Sequence, residues 1–334
     1  MRVTNNSGIP LALAVWLLSD DYDFIDEPNY ISVTTLMRPL RQIIIPRRIP
    51  QDQKRSPDVS EFIARKLGHA VHDSIERAWI NHYQRSLSLM GYPDDVIERV
   101  LINPSIEMLK VFPDAIPVYL EQRQVRKIVV DGVEWSVGGK FDMVTEGIVN
   151  DTKSTSAWGW KFGTRDDEHI QQGSLYRWVD DAQEHKKITQ DFMRVNYVFT
   201  DWQKAMTRDP SYPQKRLESK EFPLWSVQNT EEWVRNKIKQ IAEHINTHEL
   251  HLPECTDEEI WRSEPKFKYF ADPEKAKDKT AKSTKNFDSL SEANAFKAEK
   301  GKGVVVTVPG EPKRCREYCE AFDFCTQKDR YFSS

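Results

Sequence analysis

Two carboxylates and a lysine stand close together in the middle of the chain. Asp142 ends Gly139-Lys-Phe-Asp142, and nine residues later comes Asp151-Thr-Lys153. Residues two apart on a strand share a face, so Asp151 and Lys153 project together. A hairpin turn at Glu146-Gly147 sets Asp142 on the neighbouring strand, within reach of Asp151. Two carboxylates and an ammonium on one spot suit phosphodiester hydrolysis. Carboxylates hold oxygen-loving ions such as Mg2+ or Mn2+. Such an ion polarises a phosphate and generates hydroxide from water. The lysine orients that water or offsets charge developing on the phosphorane. Alone, D-x-K is common as a surface ion pair, and its neighbours decide its weight.

Those neighbours sit on elements that can position them. Ile63, Leu67, Val71 and Ile75 recur at four-residue steps, predicting an amphipathic helix over 59–82 that Asp58 or Ser60 could cap. It carries Gly68, His72 and Glu76 on one face, with His69 beside them. A second helix is expected at about 94–110. From Val118 the pattern turns to strands at Val125–Val130, Glu134–Phe141 and Gly147–Lys153, with turn signals at Asp131-Gly132 and Glu146-Gly147. Glu121 lies just before the first. A helix over Asp167–Asp181 follows, carrying Gln172 and Tyr176 one turn apart. Then come a strand at Arg194–Thr200 and a helix at Thr230–His248. Trp158, Trp160 and Phe162 trail the active strand near Lys161 and Arg165, where aromatic faces could stack on bases.

The cysteines form a second constellation. Cys315, Cys319 and Cys325 give C-x3-C-x5-C, and Cys255 lies upstream. Four thiolates can hold a [4Fe–4S] cluster or a tetrahedral Zn2+, and spacing does not choose between them. Either would staple the C-terminus back to the segment before Cys255.

Composition narrows the class. The 334 residues are 39% hydrophobic and 30% charged, with formal net charge −4, an ordinary soluble composition. The most apolar early stretch, Ile9–Leu18, has ten residues against the ~20 of a membrane span, so a buried helix or strand is expected. With no basic leader before it, a cytoplasmic, reducing setting is expected. A basic patch, Arg38, Arg41, Arg47 and Arg48, precedes the first long helix. Residues 266–302 hold ten lysines against six acids, which suits a solvated lobe or one that grips phosphates. No P-loop motif appears, so any unwinding comes from elsewhere.

Taken in order, these motifs resemble the RecB-like exonuclease branch of the PD-(D/E)XK nuclease superfamily: a glycine–histidine helix, a strand glutamate, G-x-x-D, (D/E)-x-K and Q-x-x-x-Y. The resemblance spans roughly residues 59–180. It implies an α/β fold with a mixed central β-sheet flanked by helices. It implies His72, Asp142, Asp151 and the Thr152 carbonyl as ligands to Mg2+ or Mn2+, Glu121 as the early acid and Lys153 as the catalytic lysine. Gln172 and Tyr176 match the motif that positions DNA or the lysine. The tail resembles relatives that bind [4Fe–4S] through clustered cysteines, which implies Cys255, Cys315, Cys319 and Cys325 as cluster ligands, with Zn2+ the alternative. The expected organisation is a lead-in (1–58) packing on the core, a nuclease core (59–254), and a lysine-rich lobe with the cysteine region (255–334). The expected activity is a DNA exonuclease of phage or bacterial recombination, repair or replication. It acts on linear ends, alongside proteins of those processes, and not on membranes. Two other classes compete: a non-catalytic DNA-binding or assembly protein on a nuclease fold, and a zinc-stabilised interaction module.

Overall fold

Two tight turns build the centre of the fold. In the computed structural model, which describes residues 2–19, 25–163, 165–278 and 280–332, strand β3 (Ile116–Val130) turns at Asp131-Gly132 into β4 (Val133–Thr145). That strand turns at Glu146-Gly147 into β5 (Ile148–Thr155). All four turn residues have positive φ, +50° and +80° in the first turn and +54° and +76° in the second. That is the conformation a two-residue hairpin needs to match strand twist, and Asp-Gly and Glu-Gly supply it through glycine. The ladders close on Val130↔Val133 and Thr145↔Ile148.

The sheet has seven strands in the order β2-β3-β4-β5-β6-β7, with β1 (Tyr30–Ser32) joined to β4. Strands β2 (Val100–Ile102) and β6 (Phe192–Phe199) run parallel to β3 and β5, and β7 (Leu217–Pro223) runs antiparallel to β6. The sheet is therefore mixed, with helices on both faces, as the α/β expectation required. Along β6, Met193 and Tyr197 meet Gly173 and His169 of the Asp166–Asp181 helix. Asn196 and Val198, pointing the other way, line a groove with the Ile63–Leu89 helix.

One edge of β4 is shared. β1 pairs with Ser136–Gly138 and β5 with Met143–Thr145. Residues 139–142 between them have no ladder partner on that edge. This gap ends on Asp142.

Several expectations are corrected. Residues 94–110 are not one helix. They form helices Asp94–Arg99 and Ile106–Val111 around β2, which pairs with Ile116–Val118. Val100-Leu-Ile102 is apolar enough for either state, and a distant partner strand decided it. The Ile9–Leu18 stretch forms the helix Leu11–Leu18, but only Ala14 and Leu17 are buried, against Val59. Leu11 is 79% exposed, so this helix is not buried.

The chain divides into two compact units, residues 1–37 with 50–239, and 38–49 with 240–334. This departs from the expected boundaries at 58 and 254. In the second unit, β8 (Lys266–Phe270) lies between β9 (Lys285–Phe287) and β10 (Val304–Val308), all antiparallel. The Leu290–Lys300 helix covers this small sheet through Phe296, edge-on to Tyr269 at 5.1 Å. The early arginines belong here too. Arg41 is 3% exposed and bonds Glu249, the Leu252 and Pro253 carbonyls and the Cys325 sulfur. Arg48 bonds the carbonyls of His244 and Ile245 at a helix C-terminus. The expected basic patch is therefore divided, with Arg41 inside the unit and Arg47 and Arg48 exposed.

Candidate active site

Three acids fall in a row across the sheet. Leu120 pairs with Met143 and Gln122 with Phe141, so Glu121 on β3 lies opposite Asp142 on β4. One step beyond Met143↔Asn150, Asp142 lies opposite Asp151 on β5. Hairpin register alone makes this row.

Glu121 carries an unusual backbone. Its φ is +51° in the middle of a strand, a left-handed conformation that costs a non-glycine residue about 1–2 kcal/mol. The strand changes face there. Before it, Val118 and Leu120 pack against Trp79 and Tyr83 of the long helix. After it, the even residues Gln124 and Arg126 bond Asp180 and the Trp178 carbonyl of the helix on the opposite face. Such strain persists where surroundings enforce it, often at functional sites. We expect Glu121→Gly to unfold at higher denaturant than Glu121→Ala, by about 1 kcal/mol, the reverse of the usual order within a strand. Equal stability of the two variants would remove strain as a cause.

The imidazole of His72 joins the row from the long helix. At Gly68, one turn earlier, an added Cβ would make only an ordinary contact with the Ser154 hydroxyl of β5, at 3.7 Å, so the approach of helix to strand does not depend on glycine there. His72 Nδ1 lies 3.1 Å from Asp142 Oδ2, and Nε2 bonds the Thr152 carbonyl at 2.7 Å. One ligand atom each from His72, Glu121 and Asp142 lies within 4.8 Å of the others. The bond to Asp142, against the cost of burial, holds the His72 pKa up at about 9. Burial opposes ionisation of Asp142, but His72 and Lys153 more than offset it and its pKa is lowered. For Glu121, burial wins over the Lys140 ammonium 2.6 Å away, and its pKa is raised.

On the other flank, Asp151 is 2% exposed, and burial raises its pKa against the pull of Lys153. Lys153 Nζ sits 2.9 Å from Oδ1 and 2.8 Å from Oδ2. Oδ2 is sealed from solvent and has no hydrogen-bond partner beyond that ion contact. Burial works against the ammonium too, yet Asp151 and Asp142 keep the Lys153 pKa raised. Among the described residues Asp151 is outside the 4.8 Å set, its carboxylate turned to Lys153.

Gln172 and Tyr176 meet as one unit. The Gln172 amide donates to the Tyr176 hydroxyl at 2.9 Å. Gly139 explains itself through the same ring, since an added Cβ would stand 2.9 Å from Tyr176 Cδ1. Tyr176, His72, Glu121 and Asp142 line a cleft of about 490 Å3 with Lys66, His69, Arg123 and Lys140. Sequence reasoning gave Lys66, Arg123 and Lys140 no role and noted His69 only as a neighbour of His72. Lys140 lies inside the G-x-x-D motif and was the one signal available.

The ring of His72 has an oxygen on each nitrogen, so the protonated ring donates from Nδ1 to Asp142 and from Nε2 to the Thr152 carbonyl, two groups that could hold a cation. In cation-free protein this imidazolium adds stability. With a folded pKa near 9 against about 6.5 unfolded, that stability is complete below about pH 6.5. It is lost as pH rises through the folded value. Urea unfolding in a chelator should show wild type losing more stability than His72→Gln from pH 6.5 to 9. Parallel curves would refute it.

In the second unit, Cys255, Cys315, Cys319 and Cys325 line one small cavity of about 20 Å3 with Arg41, Gln42 and Gln327. Buried Gln327 clasps Cys255 at two points, accepting from its amide at 2.9 Å and donating to its carbonyl at 2.7 Å. Burial, with Glu259 and the other cysteines adding, pushes the Cys255 thiol up to about 12. Cys315, buried beside Cys319 and Cys325, rises to about 11. Among the described residues no three thiols lie within 4.8 Å of one another. Around Zn2+, at about 2.3 Å per bond, sulfurs would stand roughly 3.8 Å apart.

Among the described residues no helix is long and apolar enough to cross a membrane. No family model matches the chain, and no curated protein does. Among solved structures, one described as the crystal structure of SSO0001 aligns at 16% identity. The alignment has TM-score 0.38 and covers 72% of this chain and 89% of that one.

Proposed function

We propose that this chain is a metal-dependent deoxyribonuclease that hydrolyses phosphodiester bonds from DNA ends, in phage or bacterial recombination, repair or replication. The observation that carries this reading is the row Glu121–Asp142–Asp151 with an imidazole on one flank and a half-buried lysine on the other. The donor set fits a divalent cation: carboxylates, a backbone carbonyl and one imidazole, with a sealed carboxylate oxygen nearby. Oxygen donors suit Mg2+ and Mn2+ alike, and the imidazole tilts the set towards Mn2+. When bound, such an ion polarises the phosphate and lowers the pKa of water.

The protein's own groups do the rest. His72, Glu121, Asp142 and the Thr152 carbonyl hold the ion, and Asp151 adds charge beside it. Lys153, kept protonated by its acids, offsets negative charge that builds on the phosphate oxygens. Lys66, Arg123 and Lys140 stand among the cleft's four carboxylates, and a bound ion would add the positive charge that meets the DNA backbone. Gln172 fixes the Tyr176 ring at the cleft wall. Action from ends rests on the order of the motifs, and the cytoplasm is the compartment such a role requires. In the second unit, four thiols around one cavity would hold a [4Fe–4S] cluster, with Zn2+ the alternative.

The test offers linear and covalently closed DNA to anaerobically purified protein with Mg2+ or Mn2+. We expect digestion of the linear form alone. Nicked circles would make it an endonuclease, and intact DNA with both ions would sink the reading.

A further inference from the structure

The Ile63–Leu89 helix is 27 residues long, yet none of its residues is fully buried. An amphipathic helix ordinarily seals its apolar face against a core. Here Val71, Ile75 and Trp79 face an open groove of about 790 Å3. Its floor is the sheet, from Leu120 and Met143 across Thr152 to Asn196 and Val198. Tyr92 and Leu217, 50% and 62% exposed, stand at its rim. The lining is mainly apolar. The groove also contains His72, Glu76, Glu121 and Asp142, which line the 490 Å3 cleft as well, where Lys66, Arg123 and Lys140 stand among the carboxylates of Asp73, Glu76, Glu121 and Asp142. Glu121 and Asp142 of the acidic row therefore stand between an apolar groove and a cleft of mixed charge.

We infer that this groove receives an unstacked nucleobase next to the scissile phosphate, so that the substrate is a single strand at the cleaved position. The inference rests on the nuclease reading and adds the substrate class. With a cation held at the row and Lys66 and Arg123 in the cleft, a fitting occupant of both compartments is anionic on one side of the row and flat and apolar on the other. A nucleotide has that division, with its phosphate at the row and its base in the groove. The volume lies within the range of small-molecule sites and holds more than one base. A base inside a duplex keeps both faces stacked and cannot enter. Trp79 and Tyr92 offer aromatic surface for a base that has left the stack, a contact tolerant of sequence.

The experiment measures steady-state cleavage with Mn2+ on a single-stranded oligonucleotide, the matched blunt duplex, and single strands with one abasic residue stepped along the chain. Tyr92→Ala and Leu217→Ser are run beside wild type, since both residues are exposed and should leave the fold intact. Single strand should be preferred. An abasic residue beside the cut bond should raise KM roughly 5- to 100-fold, the worth of one lost stacking contact, with kcat little changed. Both variants should shrink the gap between intact and abasic strands. If wild type cuts intact and abasic strands with the same KM, or prefers duplex, the groove does not hold a base and the nuclease reading stands alone. Undiminished discrimination in both variants overturns the groove as the base site. If no DNA is cut with Mn2+, the nuclease reading falls and this inference falls with it.

Discussion

Asp151→Asn and Lys153→Ala should each lower DNA cleavage about 10^3-fold, a barrier increase of about 4 kcal/mol. The two should fail differently. Asp151 is nearly sealed, whereas a third of the Lys153 side chain reaches solvent. Without Asp151 the ammonium can swing outward. Without Lys153 a carboxylate stays buried and unpaired, a change that costs about 3–5 kcal/mol in comparable pairs. Lys153→Ala should therefore melt well below Asp151→Asn. Chemistry can be separated from folding with Asp151→Asn/Lys153→Met, which leaves no buried charge orphaned and should stay inactive while regaining stability. The readouts are initial rates on linear DNA and urea unfolding midpoints. Full activity in Asp151→Asn would remove the acidic row from the mechanism.

The second large effect concerns the cysteines. Cys255→Ala, Cys319→Ala or Cys325→Ala should abolish the visible absorbance and bound iron expected of a cluster. The second unit should lose several kcal/mol, because metal binding by thiolates is folding free energy. The Gln327 clasp, the Arg41 network, the Trp261–Tyr318 ring contact and the Arg314 bonds to the Glu259 and Ile260 carbonyls also tie the Cys255 segment to the cysteine-bearing tail. Cleavage is expected to fall less than stability, since the acidic row lies in the first unit. Iron and zinc analysis with thermal melts checks this. Colourless protein with one zinc would replace the cluster by zinc, and variants as stable as wild type would leave the thiols without a structural ion.

The sequence by itself determined which candidate groups could meet and much of their placement. Asp131-Gly132 and Glu146-Gly147 are local turn signals, and they alone dictate the hairpin register that brings Asp142 beside Asp151. His72, and Gln172 with Tyr176, were legible because i,i+4 spacing on a helix is local too. What tertiary structure decided was non-local. Val100–Ile102 became a strand because β3 was there to pair with it. Glu121 gained its place by adopting a left-handed backbone that no propensity predicts. Lys140 became its ion partner across the same ladder. Arg41, one of four arginines that read as a surface patch, was drawn inside by carbonyls and an acid more than 200 positions away. Periodicity reports which side of a helix or strand is apolar. It does not report which distant backbone or charge will lie against it, and that pairing made the groove beside the acidic row.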